Sequence, residues 1–196
     1  MPRILSVLIP AVVLCLAVSG CVKVDVSTDL TDEEKVEISK QTAARIRAEW
    51  AKEIRYASPV QRVRLLHSMW LAVTTSYINL GRETVAKWRY LESISDVPVC
   101  ASEVKKMLDR WMLTEEPVFS AYEDNITFTL EEIESSHYFE KDFLETISLL
   151  GKHYNKVCEI AFNPSGSPKD FEYALELLEF ETSKVSDRVK EAMTAL

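Results

Sequence analysis

VRLLHSMWLAVTTSYINL, residues 63–80, decides the fold class. Val63, Leu66, Trp70, Val73, Tyr77 and Leu80 follow one another at spacings of 3, 4, 3, 4 and 3, which places all six on one stripe of a helix. A strand would need alternation with period two, and this stretch has none. The same stripe resumes beyond Gly81 in Val85, Trp88 and Leu91, so the segment reads either as two helices broken at Gly81 or as one long helix to about Ser95. Upstream, Ser58-Pro59 with Gln61 is a helix start: serine suits the cap, proline tolerates the first helical position, and glutamine closes a capping box. Val97-Pro98-Val99 is a stop downstream.

Moving outward, the chain repeats this grammar. Thr31-Asp32-Glu33-Glu34 is a capping box that opens a helix to about Tyr56, with Val36, Ala43, Ile46, Trp50 and Ile54 as its loose apolar stripe. A third helix starts at Ser102 with Val104, Leu108, Trp111 and Met112. It meets Thr114-Glu115-Glu116-Pro117, read as a kink or restart, and Asp124–Thr129 reads as a turn. A fourth, capped between Thr129 and Ser136, aligns Phe143, Ile147, Leu150, Tyr154, Val157 and Ala161. The loop Asn163–Pro168 then leads to a fifth, capped by Ser167-Pro168 with Asp170, whose stripe runs Phe171, Leu175, Leu178, Thr182, Val185, Val189 and Ala192. Seams of this kind predict an all-α fold, an antiparallel bundle of four to five helices spanning residues 31–196.

The first twenty residues differ from the rest. Arg3 precedes an apolar run from Ile4 to Ala17, too short to span a bilayer comfortably, and Val18-Ser19-Gly20-Cys21 follows. These four residues resemble the lipobox of bacterial lipoproteins. The resemblance implies a signal peptide over 1–20, cleavage before Cys21, acylation of that cysteine and attachment to a membrane. Val22 in place of an aspartate implies the outer membrane in the enterobacterial sorting pattern. Val22–Leu30 lacks a helical stripe and is expected to be a tether of at most about 30 Å.

In that reading Cys15 leaves with the signal and Cys21 is consumed by lipid, which leaves Cys100 and Cys158 as an even pair where disulfides persist. With a turn placed between Asp124 and Ser136, antiparallel packing brings both to the same end of the bundle, so a disulfide is expected; two separate buried thiols are the alternative. The bridge would contribute roughly 4 kcal/mol.

The chain holds 23 Lys+Arg against 31 Asp+Glu, a net charge of −8. An acidic chain outside the cytoplasm argues against nucleic acid as a partner. The bases are nevertheless segregated, nine of them (Arg45, Arg47, Lys52, Arg55, Arg62, Arg64, Arg82, Lys87, Arg89) against three acids over residues 45–89, whereas 92–147 is strongly acidic. Either basic helices pack beside acidic ones, or Arg45, Arg55, Arg62, Arg82, Trp88 and Arg89 form a face for an acidic partner or anionic headgroups.

Glu134-Ser-Ser-His137 matches one copy of the Glu-x-x-His element of ferritin-like bundles, but a metal site would need a second copy and two further glutamates on facing helices. No metal, cofactor or catalytic set is expected. The function expected is non-enzymatic: a lipid-anchored helical module that binds another envelope protein, similar in architecture to the helical lipoproteins called pilotins. The alternative is a binder or sensor of a small molecule, lipid or metal, using an interior cavity lined by Trp70, Tyr77 and Tyr154.

Overall fold

The structure, a computed structural model, describes residues 30–196; the segment expected to be a signal peptide, the lipobox-like residues with Cys21 and the expected tether as far as Asp29 lie outside the described residues. Five helices follow in order: α1 (Asp32–Tyr56), α2 (Pro59–Ile94), α3 (Ala101–Ser135), α4 (Lys141–Ala161) and α5 (Pro168–Thr194). They form an all-α bundle. Three starts are the capping boxes read from sequence. Thr31 Oγ1 accepts from the Glu34 amide at 3.2 Å, and Ser58 and Ser167 cap α2 and α5 in the same way with Gln61 and Asp170. Gly166, at φ 72°, takes the left-handed turn that leads into the last of these.

α2 is the central element and packs on α3, α4 and α5. That is why its burial exceeds one stripe: Met69, Thr74, Ile78, Gly81 and Thr84 are buried beside the expected seam. The helix runs unbroken through Gly81. A Cβ there would lie 2.6 Å from Cδ2 of Leu175 on α5, so the glycine permits a close helix–helix approach and does not end the helix. Arg62 to Glu132 and Trp88 to Val99 set α3 antiparallel to α2, and Arg89 to Glu172 with His67 to Ser186 does the same for α5.

α1 stands outside this four-helix unit and packs along α3. The interface is partly polar: Trp50 Nε1–H donates to Thr129 Oγ1 at 2.7 Å, and Arg47 donates to Asp124 at 2.7 Å and to Ser120 at 3.2 Å. These contacts correct the expected turn at Asp124–Thr129. Tyr122, Ile126, Thr129 and Ile133 form a buried stripe, and Asn125 is buried with them, so residues with turn preferences serve instead in a helix–helix interface. α3 also continues through Pro117. The true turn lies between Ser135 and Lys141, and helix four begins at Lys141, later than expected.

Moving that turn removes the disulfide. Cys100 sits at the far end of the 35-residue α3, while Cys158 sits near the C-terminal end of the 21-residue α4. The two are on the order of 25 Å apart along the bundle axis. Both are free thiols: Cys100 is exposed at the start of α3, and burial pushes the Cys158 thiol up to about 11. Such a thiol is protonated and poorly nucleophilic at neutral pH.

The core is continuous across α2–α5, and Trp70, Tyr77 and Tyr154 are buried in it; of the three, Tyr77 also lines the groove described below. Tyr77 and Tyr154 meet hydroxyl to hydroxyl at 3.4 Å. Two histidines are also buried here. His67 pairs with Ser186 at 3.0 Å, and neither ring nitrogen of His153 has a partner among the described residues. Burial lowers the pKa of both; Lys190 adds to the effect at His67, while at His153 Glu181 opposes it and Lys156 adds. Unfolded imidazoles take up protons near pH ~6.5. The folded ones resist until lower pH, so the unfolded chain binds more protons and stability falls as pH drops below that value. We expect the urea midpoint to be lower at about pH 5.5 than at about pH 7.5, with His153→Phe reducing the difference. A midpoint independent of pH across this range would refute the assignment.

Among the described residues no helix is long and apolar enough to cross a membrane.

Candidate functional site

The first three helices together border a concavity. Arg62 Nε–H donates to the carbonyls of Ile54 and Ala57 at 3.1 and 3.2 Å, pinning α1 and α2 together at their junction. From there α1 follows α3 and leaves part of the α2–α3 seam uncovered. The result is a groove of about 460 Å³ between the three helices.

Its α1 wall carries Thr42 and Ile46. Val73, Tyr77 and Leu80 come from α2, and Val104, Leu108, Trp111, Val118, Phe119 and Tyr122 from α3. The rings form a connected wall: Tyr77 meets Phe119 edge to face at 4.9 Å, and Phe119 meets Trp111 the same way at 5.6 Å. Trp111 remains 38% exposed at the rim, with Met107 beside it also exposed. Charged lining is sparse, namely Glu83 and Lys87 on α2 and Glu115 on α3.

Glu115 is the anomalous residue. It is half-buried, makes no ion pair among the described residues, and burial raises the pKa of its carboxyl. The positions three and four residues away on α3 are Trp111, Met112, Val118 and Phe119, so its own helix supplies no cation. A carboxyl embedded in an apolar stripe was visible in the sequence, where Thr114–Pro117 read only as a kink.

The residues expected to form a basic face are distributed differently. Trp88 is 1% exposed and donates its indole N–H to the Val99 carbonyl at 2.8 Å, so it is a core residue and not part of an exposed face. Arg89 pairs with Glu172 at 2.6 Å, Arg82 with Glu179, and Arg62 with Glu132 at 3.0 Å. Arg45 lies 4.0 Å from Glu49 on its own helix, and Arg55 is exposed. Internal complementarity therefore absorbs three of the five arginines across helix–helix contacts, each exposed pair adding little stability. At the α3–α4 turn, His137 lies beyond the helix end with φ 49°, so it does not share a helical face with Glu134. Among the described residues no three metal-ligating side chains converge.

Comparison with protein-family models, with curated proteins and with solved structures finds no match to this chain.

Proposed function

We propose that this chain is a lipid-anchored, non-catalytic binding module of the bacterial envelope, with the α1–α2–α3 groove as its working surface. The anchor reading is supported by the apolar run ending in Val18-Ser19-Gly20-Cys21. Each buried acyl CH₂ adds about 0.8 kcal/mol of membrane affinity, so more than one chain on Cys21 would hold the protein stably. Val22 favours the outer membrane.

The observation that carries the binding reading is the groove itself. Its volume of about 460 Å³ lies within the range of small-molecule sites, and its walls are apolar and aromatic with few polar groups. The occupant is accordingly a compact ligand with a large apolar part. A second reading, an envelope protein as partner, is favoured by a different surface. Tyr173, Leu177 and Phe180 lie at i, i+4 and i+7 on the outer side of α5, and all three are exposed. That spacing is how one helix offers anchors to another.

Native mass spectrometry of the chain released from its own membranes tests both. The compact-ligand reading predicts a small noncovalent adduct that Val118→Trp, which fills the groove, abolishes. A protein adduct that persists in Val118→Trp and is lost in Phe180→Asp would favour the second reading. An unmodified Cys21 in the same spectra would refute the anchor.

A further inference from the structure

We propose that the groove selects an organic cation, whose ammonium group meets the Glu115 carboxylate and the rings of Trp111 and Phe119 that flank it, while its apolar body fills the rest of the groove. This rests on the compact-ligand reading of the groove and deepens it. The sign of the preferred charge follows from what lines the site. The charged lining is Glu83, Lys87 and Glu115, two acids against one base, so the groove carries a net negative charge, and Glu115 makes no ion pair among the described residues. Neither Thr42 nor Ile46 on α1 brings a charge to it.

A half-buried carboxylate without a partner is destabilised by lost solvation. An arriving cation relieves that cost, and an arriving anion increases it. The aromatic wall acts in the same direction. Trp111 and Phe119 flank Glu115 four residues to either side on α3, and the electron-rich faces of such rings attract ammonium groups. Carboxylate and rings thus converge on one ligand chemistry: a primary or quaternary ammonium attached to a hydrocarbon or aromatic body.

Isothermal titration of the full-length lipidated chain in non-ionic detergent, with benzyltrimethylammonium, phenylacetate and benzyl alcohol as probes, tests this. The cation should bind about ten-fold more tightly than phenylacetate. Glu115→Gln should reduce cation affinity to within about two-fold of that for benzyl alcohol, whose own affinity stays unchanged, while Glu115→Asp keeps the preference for the cation. Trp111→Ala should weaken both. Equal or tighter binding of phenylacetate, or a cation preference that survives Glu115→Gln, would overturn the proposal. If benzyl alcohol binds saturably without any preference for charge, the cation proposal falls and the groove stands. If none of the three probes binds, the groove reading falls with it.

Discussion

Trp70→Ala is expected to lower the free energy of unfolding by about 3–5 kcal/mol, a large share of what a domain of this size possesses. Trp70 is fully buried on α2, stacked on His67 at 6.0 Å and edge-on to His153 of α4 at 5.5 Å. Truncation leaves an indole-sized space between long helices that cannot close locally. It also opens the two buried imidazoles to water, so the acid sensitivity described above should diminish in the same variant. Trp70→Phe separates volume from polarity: the indole Nε1–H has no hydrogen-bond partner among the described residues, so losing the donor is not penalised. Its cost should fall well below that of the alanine variant. Urea unfolding followed by circular dichroism measures both, and a loss under about 1 kcal/mol for Trp70→Ala would contradict this packing.

Gly81→Val should cost about 1–3 kcal/mol through overpacking, although valine is the better helix former. The side chain would enter space held by Leu175, whose Cδ atoms lie 2.6 and 2.9 Å from the position of a Cβ. Leu175 is itself fully buried and has little freedom to move aside. The decisive variant is the double one. Leu175→Ala alone should be destabilising by about 2–5 kcal/mol, and adding Gly81→Val to it should restore stability, because valine then fills the vacated volume. Additive losses would mean that α2 and α5 do not meet at these residues.

How much was legible in the sequence depended on which interaction decided each element. Where the apolar stripe and the cap agreed, as in α1, α2 and α5, type and starting position followed from periodicity and from hydrogen bonds local to the chain. Residues 124–129 failed for the opposite reason. Asp124 and Thr129 look like turn residues until α1 supplies Arg47 and Trp50 as partners. Those partners lie more than seventy residues away. That misplaced turn carried the disulfide with it, since the spacing of Cys100 and Cys158 was reckoned from it. The charge segregation was visible, but its meaning required pairing: only the packed helices reveal that Arg82 and Arg89 face Glu179 and Glu172 of α5. The groove was the least legible feature. It arises because α1 follows α3 and leaves the α2–α3 seam partly open, and no single helix encodes that choice.

The groove as a binding surface is tested most directly by fluorine NMR of the chain carrying 5-fluorotryptophan at its four tryptophans, titrated with benzyl alcohol. Trp111, assigned through Trp111→Phe, lines the groove, whereas Trp70 and Trp88 are core residues that do not. The predicted result is a saturable shift of the Trp111 resonance with those of Trp70 and Trp88 unmoved. A Trp111 resonance that stays in place, or all resonances drifting together without saturation, would contradict the account.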